Sequence, residues 1–252
     1  MAEAARAIDT IDTAPAFTPA DAAAMQARFA GVPAPAMLAE LLTGELVGRV
    51  AAVSSFGAES AVLLHMVAAV DPATPVLFTN TQKMFGETLA YRDMLVEHLG
   101  MTALRVFRPD PHLLAIKDRE GIRHGYDPDG CCDLRKVEPL TRALAPFDAW
   151  ISGRKGFQAG TRQALPRFES DAGRLKINPL ADWTKADLDA YFAAHDLPRH
   201  PLEAQGYLSI GCAPCTSPVK PGEDARAGRW RGMGKVECGI HQPVGVSALP
   251  PR

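Results

Sequence analysis

The chain has 252 residues, 47% of them hydrophobic, which is enough for one sizeable domain with or without appendages. Its 27 basic and 29 acidic side chains leave a formal net charge of −2, so no global charge excess draws it to nucleic acid or an acidic membrane, and any anion site must be local. The longest apolar run, Ala61 to Val70, is interrupted by His65 and is too short to span a bilayer. The opening Met1-Ala2-Glu3-Ala4-Ala5-Arg6 lacks the basic and apolar regions of a secretory leader. A cytoplasmic, reducing setting is therefore expected, and there five cysteines suggest metal binding or catalysis rather than a disulfide framework.

In chain order, residues 1–20 read as a disordered lead-in, followed by two Ala- and Leu-rich helices over 21–30 and 34–47. Arg49 to Val53 is a short β-branched strand that enters a turn over Ser54–Ser60. A helix then runs to about Val70, with Val62, Met66 and Ala69 on one face. Val76 to Thr79 is a second strand, Gly86 to Leu99 a helix and Leu104 to Phe107 a third strand. After a helix that begins near Cys131, Asp148 to Ser152 is a fourth. Strands alternating with helices predict an α/β fold, a mostly parallel sheet covered by helices on both faces. The α/β domain is expected over 21–217. A Gly- and Pro-rich segment, 218–252, reads as a mobile tail.

The cysteines divide four and one. Cys131-Cys132 and the C-x-x-C pair Cys212 and Cys215 together supply four thiolates, a set that suits zinc or an iron–sulfur cluster; spacing does not choose between them. Taken singly, the adjacent pair also fits two buried apolar thiols, and the C-x-x-C a thioredoxin-type redox couple. Cys238 follows Arg226, Arg229, Arg231 and Lys235, interleaved with glycines. Such cations stabilise a thiolate and attract an anionic substrate, although a solvated basic tail has the same composition.

Two loops remain. A strand-to-helix turn offers backbone N–H groups and a positive dipole end to phosphate, and Ser54, Ser55, Gly57 and Ser60 occupy it. It is not a Walker loop, and a plain serine-capped turn is its rival reading. The second loop, Ser152 to Arg162, carries Arg154, Lys155 and Arg162 past a strand end, where open α/β sheets bind ligands; a solvated surface loop is the plainer alternative.

Cys131-Cys132-Asp133-Leu134-Arg135-Lys136-Val137, Gly211-Cys212-Ala213-Pro214-Cys215-Thr216 and Glu237-Cys238-Gly239-Ile240-His241 resemble, in this order, motifs of the sulfonucleotide reductases. Trp150-Ile151-Ser152-Gly153-Arg154, Thr161-Arg162 and Arg226-Ala227-Gly228-Arg229-Trp230 add to a resemblance that covers about 36–241. It implies an adenine-nucleotide α-hydrolase-like fold and one 4Fe–4S cluster on Cys131, Cys132, Cys212 and Cys215. It further implies reduction of adenylyl sulfate to sulfite and AMP in sulfate assimilation and cysteine biosynthesis, with Cys238 as nucleophile. The 3′-phosphorylated substrate is the alternative. The resemblance assigns substrate contacts to Ser54, Ser55, Gly57, Ser60, Thr79, Thr81, Lys136, Arg154, Lys155, Arg162, Arg229, Arg231 and His241. A separate thioredoxin or glutaredoxin is the implied reductant, and a homo-oligomer is left open. The family's usual Asp-Thr-Gly and Pro-Glu-Thr stand here as Asn80-Thr81-Gln82 and Gly86-Glu87-Thr88, on the expected adenosine side, and its Arg-Arg as Arg154-Lys155. An ATP-dependent tRNA thiolase of the same fold and a non-enzymatic iron–sulfur redox sensor are the competing readings.

Overall fold

A computed structural model of the chain describes residues 16–158, 165–235 and 237–241. β1 (Val50–Val53), β2 (Val76–Thr79), β3 (Leu104–Phe107) and β4 (Ala149–Ser152) fall on the four apolar runs picked out in the sequence. β5 (Phe168–Asp171) and β6 (Arg174–Ile177) complete a six-stranded sheet of order β3-β2-β1-β4-β6-β5. Every neighbouring pair is parallel except β5 with β6. The connecting helices are α1 (Pro19–Arg28), α2 (Ala34–Thr43), α3 (Ser60–Val70), α4 (Gly86–His98), α5 (Pro111–Lys117), α6 (Pro128–Cys132), α7 (Glu138–Leu144) and α8 (Lys185–Ala194).

Successive strand residues face opposite sides of a sheet, and that alternation sorts the core. Val50, Ala52, Val76, Phe78 and Ile151 belong to one apolar layer with residues of α1, α2, α3, α4 and α8. Ala51, Leu77 and Trp150 belong to another with Leu140, Ala143 and Leu144 of α7. The sheet is covered on both faces. α3 is buried on more than one stripe: Ala61, Val62, Leu63, Leu64, Met66 and Val67 are all inside, whereas Ala69, expected on its inner face, is exposed. Helices that pack on both α2 and α8 need apolar residues on two flanks, which a single-stripe reading does not anticipate.

Two boundaries move. The lead-in does not extend to residue 20: Thr18 caps α1 through a reciprocal bond with Asp21, and the Phe17 N–H donates to Gly173 O at 3.0 Å. Residues 1–15 lie outside the described residues. α2 stops at Thr43, before Gly44, rather than at residue 47.

From Pro128 to Leu144 the chain is one helical path with a wide turn over Asp133–Val137 between α6 and α7. There the Glu138 N–H donates to Asp133 O, five residues back. Pro139 accounts for the widening: it has no N–H, and its ring collides with the carbonyl four residues before it, that of Arg135. The wide turn separates two neighbouring cations. Arg135 is buried against the Asp118 carboxylate at 2.6 and 2.9 Å and donates to Thr81 O at 3.0 Å; Lys136 lines a cleft.

Candidate active site

β1 runs next to both β2 and β4, so the sheet order reverses there, and a cleft opens at the C-terminal ends of β1 and β4. It encloses about 1030 Å³ with its open mouth included. One half is built by the sheet and α3. Ser54 Oγ accepts from the Phe56 N–H at 3.1 Å, which folds the turn, and α3 begins at Ser60 with no side-chain cap. Helix N–H groups left without intrahelical partners are a ready anion site. Lys155 reaches Glu59 at 2.9 Å with both side chains nearly buried, and Arg154 reaches Glu169 at 2.8 Å.

The other half is built by loops. Residues 215–217 pair with the returning chain: the Ser217 N–H donates to Gly228 O at 2.9 Å and the Trp230 N–H to Cys215 O at 3.0 Å. Trp230 is 2% exposed and held at φ +49°, costly for a bulky L-residue. The Arg229 guanidinium lies 4.3 Å from its ring centroid. Gly211 lets that guanidinium through, because a Cβ there would sit 2.3 Å from Arg229 Nη2.

Cys238 is buried in the cleft with Lys136 and Arg229. A hydrogen bond from the Cys132 thiol, the Lys136 and Arg229 charges and the Ile240 N–H hold its pKa well below the ordinary thiol value, against the opposing effect of burial. Cys132 moves the other way, as the donor to Cys238 and by its own burial. Burial by itself lowers the Lys136 pKa, but the Cys238 and Cys212 thiolates outweigh it and raise the ammonium's pKa. Glu237 Oε1 accepts both the Cys238 N–H and Arg226 Nη2 at 3.0 Å, tying the thiol's backbone to a second cleft cation.

Beside the cleft lies a smaller cavity of about 310 Å³, lined by Cys131, Cys132, Cys212 and Cys215. The turn after β2 closes on it: Met84 bridges Cys212, the Ala213 N–H donates to Lys83 O at 2.8 Å, and Thr81 Oγ1 lies 3.2 Å from Cys212 Sγ. The five thiols are free. Burial pushes Cys131 up to about 11, Arg135 opposes that, and Cys212 adds to it. Burial and Cys212 likewise raise Cys215. Thiols kept from ionising first by burial and then by a neighbouring sulfur's charge suit a cationic partner that would offset those charges. Among the described residues no three His, Cys, Asp or Glu side chains converge to hold a single ion. The four thiols line one cavity, and an all-thiolate donor set suits zinc or an iron–sulfur cluster.

The sequence model of the phosphoadenosine phosphosulfate reductase domain matches residues 49–218, more than half of the chain. The chain belongs to the sulfonucleotide reductase family. A protein of Mesorhizobium japonicum named adenosine 5′-phosphosulfate reductase is 58% identical over 193 residues, 77% of this chain and 76% of that one. One of the same name from Chelativorans is 56% identical over 80% of this chain and 82% of its own. A phosphoadenosine 5′-phosphosulfate reductase of Gloeobacter violaceus is 43% identical over 75% and 80%. The fold matches the crystal structure of a phosphoadenylyl-sulfate reductase from Candida auris at a TM-score of 0.67 and 24% identity, covering 81% of this chain and 98% of that one. Family membership sets aside the tRNA thiolase alternative.

Of the residues singled out in the sequence of this reductase, Ser54, Ser55, Gly57, Ser60, Lys136, Arg154, Lys155, Arg229 and Cys238 line the cleft together. Thr79 does not line it, and Thr81 is turned away to the cysteine cavity, 1% exposed beside Cys212. The Asn80-Thr81-Gln82 departure therefore abuts the cysteine loop rather than the cleft wall. Arg231 also leaves the site: its guanidinium pairs with Glu223 at 2.9 Å on the exposed surface. Arg162 and the His241 side chain lie outside the described residues. Residues 218–235 and 237–241, expected as a mobile tail, fold back so that Trp230 and Cys238 are buried. Sequence reasoning missed Glu59, Glu237, Trp150 and the 208–211 wall. Glu237, Trp150 and Gly211 were legible inside the motifs quoted for the resemblance; Glu59 and residues 208–210 carry no local signal. No helix among the described residues is long and apolar enough to cross a membrane.

Proposed function

We propose that this chain reduces adenylyl sulfate to sulfite and AMP through a sulfonate carried on Cys238. The observation that supports this most directly is one buried thiol facing Lys136 and Arg229 in a cleft whose opposite wall is the α3 N-terminus. The names of the relatives at 58% and 56% identity point to the same substrate.

In this reading the adenosine lies along the Ser54–Ser60 turn and the phosphosulfate reaches the loop-built half. Cys238 thiolate attacks the sulfate sulfur, the S–O bond to the phosphate breaks, and AMP leaves with that electron pair. Lys136 and Arg229 stabilise charge on the departing phosphate, and Arg226 stands by on Glu237. A dithiol protein of the thioredoxin class then attacks Cys238 Sγ and expels sulfite. Its second thiol resolves the mixed disulfide, so the dithiol supplies both electrons and ends as a disulfide. Cys238 is 7% exposed, so the 218–241 segment must lift for that second step. Cys131, Cys132, Cys212 and Cys215 would hold one 4Fe–4S cluster, whose part would be to set the charge beside Lys136; Cys132 would then have no S–H for Cys238, and Lys136, Arg229 and the Ile240 N–H would be left to favour its thiolate. The chemistry belongs to sulfate assimilation in a reducing cytoplasm.

The test is single turnover of anaerobically prepared protein with sulfur-labelled adenylyl sulfate. Label on Cys238, released as sulfite by thioredoxin, is expected, and Cys238→Ser should cut turnover by about 10³-fold or more. Faster turnover of the 3′-phosphorylated substrate would reassign the specificity. Sulfite formation that survives Cys238→Ser, or turnover of neither sulfonucleotide, would end the proposal, the latter in favour of a redox sensor.

A further inference from the structure

We infer that His124 donates its Nδ1–H to a sulfur of the group held by the four cysteines and thereby stabilises it. This rests on the reading that Cys131, Cys132, Cys212 and Cys215 hold a 4Fe–4S cluster. His124 lines the same cavity as those thiols, and its Nδ1 is buried with no hydrogen-bond partner among the described residues. A buried polar nitrogen left unpaired is costly, so such an atom calls for a partner that the protein alone does not supply.

The imidazole has little freedom to find one elsewhere. It sits in the tight turn Arg123–Gly125. The Arg123 N–H donates to Asp118 Oδ1 at 2.9 Å, and the Arg123 guanidinium grips Asp127 Oδ2 at 2.6 and 2.9 Å. Asp118 is itself clamped by Arg135, so the turn is fastened to the helix that bears Cys131 and Cys132. Asp127 caps that helix through the Gly130 N–H at 2.8 Å. Among the side chains that line the cavity with it, Lys83, Arg135, Lys136 and Trp230 only donate, and the cysteine sulfurs are the acceptors. Thiolates bound to iron have no S–H to give and only lone pairs to accept with, so Nδ1 must be the donor. Hydrogen bonds to cluster sulfurs are a known protein lever on such groups.

The test compares His124→Leu, which cannot donate, with His124→Asn, whose side-chain amide nitrogen stands close to where Nδ1 stood. All three proteins are prepared without oxygen, and iron and sulfide are counted first. Cluster loss to a chelator is then followed by visible absorption, and Fe–S stretching by resonance Raman. His124→Leu should lose the cluster roughly tenfold faster with its Fe–S bands moved to higher frequency, while His124→Asn stays near the parent. Equal lifetimes and unmoved bands in His124→Leu would overturn the inference, as would His124→Asn decaying as fast as His124→Leu. If His124→Leu does not fold, the parent and His124→Asn decide alone: a cluster lost from His124→Asn tenfold faster refutes it. Parent protein that contains no iron refutes the cluster reading and this inference together.

Discussion

On the side of the cleft built by β1, β4 and α3, Lys155 meets Glu59 at 2.9 Å and Arg154 meets Glu169 at 2.8 Å. On the side built by the C-x-x-C loop and the 218–241 segment, Lys136 and Arg229 face the sulfur of Cys238 instead. Each cation of the first pair already has a carboxylate at hydrogen-bond distance and serves mainly to fix the shape of the wall. In the proposed reaction the thiolate gives up its charge when it attacks, and the cations beside it would then be left to the departing phosphate. On that proposal the same residue types would do structural work on one wall and chemical work on the other, according to the partner each has.

The largest contrast should come from Lys136→Met. It removes the charge beside Cys238 and should lower kcat/KM by about 10²–10³-fold with little change in the unfolding midpoint. Lys155→Met should do the reverse, because it takes the cation from a buried carboxylate. A loss of about 3 kcal/mol in denaturant unfolding is expected, largely recovered when Glu59→Gln is added. If Lys155→Met instead cost activity without stability, the division between the two walls would fail. The smallest effect belongs to Gln82, at φ +61° beside the cysteine loop. Gln82→Gly should stabilise by about 0.5–1 kcal/mol in the same unfolding assay, since glycine enters that region without a Cβ clash.

The first four strands and the division of the cysteines were legible because each is a local pattern: a short apolar run between helices, or a thiol pair at fixed spacing. The β5–β6 hairpin was not. Its two turn residues, Ala172 and Gly173, both have positive φ, yet Ala172 stands where Asn or Asp would have advertised such a turn. α8 did carry a signal, the Thr184-to-Asp187 capping box, which its weakly amphipathic sequence obscured. Among site residues, Lys136, Arg229 and Cys238 could be named because their types fit the chemistry. Arg231 fits it equally well by type; only the position of Glu223 in space removes it from the site. The packing of Trp230 and Cys238 into the body was hidden for a related reason: glycine-rich composition reports backbone freedom, not the partners that restrain it.

Pro139 touches no substrate, and its influence lies in phase. An α-helix turns by about 100° per residue, so the one extra residue accommodated ahead of this proline decides the compass direction in which Lys136 points relative to Cys131 and Cys132. Rewound to ordinary pitch, the same sequence would keep Cys131 and Cys132 on the cysteine cavity while swinging the lysine away from Cys238. A single imino acid therefore sets the alignment between the two halves of this enzyme's chemistry.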